Sequence, residues 1–227
     1  MKLVLFNVDG TLIKGGYKGH NEAFSAAFRK VYGVDTNIDI INHHGMTDQQ
    51  VVIEVLKKNG LEEKAVRPKL KECMEVMVYS FNKINDKYDI IVLDGVRKLL
   101  EELDKQNILI GLVTGNLEPI ARGKMKKIGL DHYFKVGGFG NDDISRTKLV
   151  KIAIERAEHN FDFIFDNNVF LVDDAVRGIV AGKEAGVKTI GVATGVYSVK
   201  ELTDAGADYV LQSLKEKKRF LEIIIKE

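Results

Sequence analysis

Short, β-branched and almost wholly apolar runs alternate along this chain with stretches in which apolar residues recur every three or four positions. The first run, Leu3-Val4-Leu5-Phe6, gives way to Asp9-Gly10. Ile108 to Val113 ends at Thr114-Gly115-Asn116, and Val169 to Val172 ends at Asp173-Asp174. Lys188 to Val192 and Asp208 to Leu211 have the same character. A strand buried on both faces loses the polar–apolar alternation of a half-exposed one, so these runs predict strands of a parallel sheet. Helical periodicity predicts helices over 96–106, 118–128, 147–158, 176–185 and 215–226. Together they predict the α/β class, with a doubly wound parallel sheet covered on both faces. Ligands of such sheets bind beyond the carboxyl ends of the strands. Three of the runs end there in acidic or polar residues.

One stretch breaks the alternation. Residues 19–32, 47–59 and 62–84 read almost entirely as helix, and Met74, Met77, Val78 and Phe81 share one face at i, i+3, i+4 and i+7. Pro68 predicts a start or kink early in the last of these. An all-helical unit over 15–87 is therefore expected, inserted into a core made of 1–14 and 88–227. Its joints would be Thr11–Lys18, with Gly15-Gly16, and Asn85–Leu93. The segment Gly137-Gly-Phe-Gly140 lacks the spacing of a phosphate-binding glycine loop and is expected to be a turn.

Composition narrows the classes. The 227 residues are 45% hydrophobic, enough for a sizeable core. With 34 Lys+Arg against 33 Asp+Glu, the net charge of +1 gives no support to a nucleic-acid partner. The single cysteine, Cys73, excludes an internal disulfide or a Cys-based zinc site. No apolar run approaches the roughly 18–20 residues of a membrane span, and a soluble, cytoplasmic protein is expected. His43-His44, with no third ligand nearby, is expected in a loop, and Lys215–Arg219 on a solvated helix face.

Phe6-Asn-Val-Asp-Gly-Thr-Leu12 resembles the first motif of the haloacid dehalogenase superfamily, DxDGT, with Asn7 in place of the first Asp. Val113-Thr114-Gly115-Asn116 looks like the second motif. Leu171-Val-Asp-Asp-Ala175, followed by Gly178, resembles the fourth, with Asp173 where one variant has Glu. For the third motif, a cation at the start of a helix, Arg146 and Lys148 both qualify and Arg146 is preferred. The helical insert resembles the C1 cap, and the segments around His20 and Thr47-Asp48 resemble those of phosphoglycolate-phosphatase-like members.

That resemblance implies a Rossmann-like core and phosphoryl transfer. In family enzymes the first Asp attacks phosphorus and the second, here Asp9, acts as general acid and base. Mg²⁺ would be held by position 7, by Asp9 and by Asp174, with Asp173 adjoining. Thr114 and the Arg146 or Lys148 cation would hold phosphoryl oxygens, with Gly10, Thr11, Gly115 and Asn116 lining the phosphate site. His20 and Thr47 could reach the substrate, although Thr47 also suits a helix N-cap. The implied partner is a small phosphorylated metabolite. Asn7 offers no anionic oxygen. Either Asp was deliberately changed to Asn, the reading favoured by the intact remainder of the site, or the chain is a natural relative that binds without turnover. A phosphomutase on the same scaffold is the third reading.

Overall fold

The computed structural model describes residues 1–15, 17–106 and 108–226. Six parallel strands form one sheet in the order β3-β2-β1-β4-β5-β6. They are β1 Lys2–Phe6, β2 Ile108–Thr114, β3 Val136–Phe139, β4 Val169–Asp173, β5 Lys188–Val192 and β6 Tyr209–Leu211. The helices are α1 Lys18–Ala27, α2 Asp48–Lys58, α3 Glu63–Val66, α4 Leu70–Ile84, α5 Val96–Asp104, α6 Glu118–Lys127, α7 Arg146–Asn160, α8 Val176–Glu184, α9 Val199–Asp204 and α10 Lys217–Lys226. Among the described residues, no helix is long and apolar enough to cross a membrane.

The continuous apolar runs have the expected cause. In β1, Val4 and Phe6 point into one apolar cluster, with residues of α5, α6 and α10. Leu3 and Leu5 point into another, with Leu149, Val150 and Ala153 of α7. Side chains alternate across a strand, so a sheet sandwiched between helices needs an apolar residue at every position. Chain order reverses between β1 and β4, and that switch point is where an open α/β sheet leaves a crevice.

The helices between β1 and α5 have a third apolar cluster, with Phe24, Phe28, Val52, Leu56, Cys73, Met77 and Phe81 at its centre. It continues to α6 through Ile120 and the N-cap residue Leu117. Of the stripe predicted for α4, Met77 and Phe81 are buried while Met74 and Val78 only border the cluster, and Cys73 beside the stripe is buried as well. Pro68 lies in a 3₁₀ turn, Arg67–Lys69, that separates α3 from α4. Outgoing and returning chain run side by side, with Ile13 bridging Val92 and the Lys14 N–H donating to the Ile91 carbonyl at 2.8 Å. Of the proposed joint glycines, Gly16 lies outside the described residues.

The Gly137–Gly140 turn expected from sequence is instead largely strand β3. A Cβ on Gly138 would collide with the Leu149 carbonyl, and one on Gly137 with the Phe139 ring. Gly138 therefore lets α7 lie directly on the strand, a tertiary requirement that mimics a turn signal in one dimension. Helix α9, capped reciprocally by Ser198 and Glu201, was also absent from the sequence reading. Gly138→Ala should lower stability by about 2–3 kcal/mol through overpacking. In urea this appears as a lower midpoint at unchanged slope.

Candidate active site

Asn7, Asp9 and Gly10 follow β1, Thr114 closes β2, and Asp173 and Asp174 straddle the end of β4. Parallel pairing of β1 with β2 and β4 brings these three ends side by side. Above them lies a cavity of about 450 Å³ lined by Asn7, Asp9, Gly10, His20, Asp48, Thr114, Gly115, Asn116, Arg146 and Asp174. Phe24, Ile38, Met46 and Val51 add an apolar wall, and Lys14, His43 and His44 also face the cavity.

Each acid is matched by donors from the chain itself. Lys124, 0% exposed, donates to both Asp9 oxygens at 2.9 and 2.7 Å and to Asn116 Oδ1 at 2.7 Å. Burial alone would raise the Asp9 carboxyl, but the Lys124 ammonium, with His20 and the hydrogen bonds, holds it below the ordinary 3.8. Arg146 pairs with Asp173, whose other oxygen accepts the Ala175 N–H at 2.9 Å. Asp174 Oδ1 accepts Thr11 Oγ1 at 2.8 Å and Asn7 Nδ2 at 3.1 Å. Burial, then the neighbouring Asp173 carboxylate, push the Asp174 carboxyl up to about 7.

A second chain of contacts ties the inserted helices to the sheet. Lys124 Nζ lies 3.2 Å from His20 Nδ1, and His20 Nε2 lies 3.0 Å from Asp48 Oδ2. An ammonium can only donate, so Nδ1 accepts and the ring proton on Nε2 goes to Asp48. Asp48 also accepts the Leu117 N–H at 2.9 Å, and its own N–H donates to the Gly115 carbonyl at 2.8 Å. A Cβ on Gly115 would collide with the Met46 carbonyl, so the glycine permits this close seating.

Four expected site residues stand elsewhere. Lys148, with a side chain 65% exposed, pairs with Asp143 at 3.0 Å and does not line the cavity. Of the two cations weighed for the third motif, Arg146 is the one at the site, because it begins α7 while Lys148 is two residues along and so on another side of the helix. Thr47 is buried as the N-cap of α2, accepting the Gln50 N–H and donating to the Ile144 carbonyl. Thr11 acts through Asp174 rather than lining the cavity. Both Asp173 oxygens are engaged beneath the cavity, which leaves Asp174 as the member of that adjacent pair facing it.

The residue the sequence reading missed is Lys124. Its signal was present: Leu117, Ile120, Ala121, Lys124, Met125 and Ile128 follow helical spacing, so the lysine occupies an apolar stripe. Thr194 and Gly195 were missed too; Thr194 Oγ1 donates to the Gly10 carbonyl at 2.7 Å, and Gly195 packs on the Asp174 carboxylate.

The donor set suits a hard cation only in part. Asp174 and the Asp9 carbonyl are oxygens of the right kind, and an amide at position 7 can offer a third. Among the described residues, no three His, Cys, Asp or Glu side chains are grouped to hold a metal.

Comparison with known proteins gives a consistent picture. Residues 4–192 match the model of the family described as haloacid dehalogenase-like hydrolase. The validoxylamine A 7'-phosphate phosphatase of Streptomyces hygroscopicus subsp. limoneus is 25% identical over 95% of this chain and 95% of its own length. Pyrophosphatase PpaX of Halalkalibacterium halodurans is 27% identical over 94% of this chain and 93% of its own. The crystal structure of a hydrolase from Pseudomonas syringae superposes with a TM-score of 0.74 at 20% identity, over 99% of both chains, a likeness of fold.

Lys124→Met leaves the Asp9 carboxylate without its cation. The expected cost is about 2–4 kcal/mol at pH 7, the lower end reflecting a side chain still 26% exposed. Because the folded Asp9 value lies below the unfolded one, the pair stabilises fully above pH 3.8 and its contribution is lost as pH falls through the folded value. The penalty, read by urea titration, should therefore be largest near neutrality and shrink in acid.

Proposed function

The chain belongs to the haloacid dehalogenase-like hydrolase family, and from that premise we propose that its cavity takes the phosphoryl group of a small phosphomonoester. The observation that carries this is Arg146. It is 8% exposed, lines the cavity, and its Nε has no hydrogen-bond partner among the described residues. A buried guanidinium N–H left over from its own ion pair calls for an acceptor, and a phosphoryl group brings several. Thr114 and the loop at Gly115-Asn116 line the same cavity and suit the remaining oxygens.

With a carboxylate at position 7, Mg²⁺ would be held by that side chain, the Asp174 carboxylate and the Asp9 carbonyl, and when bound it would neutralise phosphoryl charge. With Asp at position 7, a carboxylate oxygen attacks phosphorus while the bond to the leaving oxygen breaks. Asp9, ionised while Lys124 pairs with it, must first take up a proton from solvent and then gives it to that oxygen. Asp9 then takes a proton from the water that displaces the carboxylate from phosphorus. One Asp9 oxygen must leave Lys124 for either transfer. Asn7 has no anionic oxygen, so the chain as written is read as binding without turnover. The hydrogen bonds that Asn7 makes also favour a second reading, a phosphate-ligand binder in which the amide is native.

Residues 15–87 are read as a cap that sets specificity, with 1–14 and 88–227 as the core. The separate apolar cluster of the inserted helices supports this division. The cavity volume and its apolar wall favour a small metabolite, of which phosphoglycolate-like esters are one class.

Asn7→Asp should confer Mg²⁺-dependent phosphate release from p-nitrophenyl phosphate, against little or none for the chain as written. A substituted chain as inert as the present one would sink the phosphatase reading. In that active background, Arg146→Leu should lower kcat/KM by about 100-fold or more. Lys148→Ala should leave it within about twofold, as suits an exposed pair.

A further inference from the structure

We infer that the Asn7 amide stands where a divalent cation would otherwise join the strand ends, so that this chain holds its acids in place without metal. The inference rests on the reading of Asp9 and Asp174 as the oxygens a cation would take. Asn7 Nδ2 donates to the Asp9 carbonyl at 3.0 Å and to Asp174 Oδ1 at 3.1 Å. A primary amide has two N–H groups. Both are spent on those two oxygens.

The other acids are matched as well: Asp9 has Lys124 and Asp173 has Arg146, while Asp174 has Thr11 beside Asn7, both on Oδ1. A Cβ on either Gly10 or Gly195 would collide with the Asp174 carboxylate, so the two backbones crowd it and keep it against Asn7. Asn7 and Asp174 are both buried, which leaves water little part in screening them.

A carboxylate at position 7 in the same rotamer would turn an oxygen toward the Asp9 carbonyl and Asp174, with no hydrogen between them. Oxygens and like charges at that separation persist only with a cation among them or a proton taken up. The amide removes the requirement. For a metal to enter the present site, the amide must rotate to present Oδ1, breaking both hydrogen bonds and offering a neutral ligand in exchange. The amide N–H groups and the cation therefore compete for the same two oxygens.

Three chains of 227 residues test this: the chain as written, Asn7→Asp and Asn7→Ala. Mn²⁺ binding is measured by titration calorimetry, and melting is followed in EDTA and in millimolar Mg²⁺. Asn7→Asp should bind Mn²⁺ at least about 100-fold more tightly than the chain as written. It should also melt several degrees lower in EDTA than in Mg²⁺, or fold only with Mg²⁺. The chain as written should melt within about 1 °C in the two media. Asn7→Ala removes the donor without supplying a ligand, and it should bind Mn²⁺ more tightly than the chain as written. Equal or weaker binding by Asn7→Ala would make Asn7 merely a poor ligand and overturn the inference. So would Mn²⁺ affinity in the chain as written matching that of Asn7→Asp. If Asn7→Ala does not fold, Asn7→Gly, which also removes the donor without supplying a ligand, takes its place under the same criteria. Failure of the phosphatase reading shows separately, as an Asn7→Asp chain that binds Mn²⁺ yet releases no phosphate.

Discussion

Parallel strands that end together also gather their terminal acids, and the need to compensate that charge organises the site. Asp9, Asp173 and Asp174 lie beside one another at the ends of β1 and β4, partly or wholly out of water. Ionised groups in such a place need partners or must take up protons. Lys124 reaches them from α6, Arg146 from the first turn of α7, and Asn7 and Thr11 from the segment that follows β1. The placement of α6 and α7 on the sheet is thus an electrostatic matter as well as an apolar one. Asp174 has only neutral donors, and it is the acid whose carboxyl is pushed up to about 7.

The same compensation joins the inserted helices to the sheet. Lys124 bridges Asp9 to His20 of α1, and His20 leans on Asp48 at the start of α2. Backbone contacts of Asp48 with Gly115 and Leu117 complete the seam. All of these groups but Asp9 are buried, so water weakens the contacts little, and separating the two parts would expose or orphan several charges at once. Whatever enters the cavity meets a wall built from both sides of that seam, with phosphoryl-type donors below and Phe24, Ile38 and Met46 above. The seam thus relates the shape of the insert to the chemistry of the strand ends.

Much of the fold was legible in one dimension. Five of the six strands lie on runs with continuous apolar character, because burial on both faces writes itself directly into composition. β3 was hidden because one of its glycines, Gly138, answers to the Leu149 carbonyl on α7, which only the fold brings against it. Asp9, Thr114 and Asp174 were legible because each stands at or just past a strand end, and position along a strand determines which end of the sheet a residue occupies. Lys124 was not, since its neighbours Lys126 and Lys127 make the helix look like a basic surface. Only its phase within the apolar stripe distinguishes it.

By itself, the sequence determined the layer architecture, the end of the sheet where the chemistry gathers, and the presence of an amide at position 7. These are local properties, carried by periodicity and by what stands at each strand end. The tertiary structure decided which charge answers which. It assigned Arg146 to the cavity and Lys148 to solvent, turned Thr47 into a cap, and set Lys124 on Asp9. It also aimed the Asn7 amide at Asp174, 167 positions away. Pairing of this kind depends on distances of a few ångströms between residues far apart in the chain, because Coulomb and hydrogen-bond energies fall away within that range. Only packing of the sheet against its helices sets those distances.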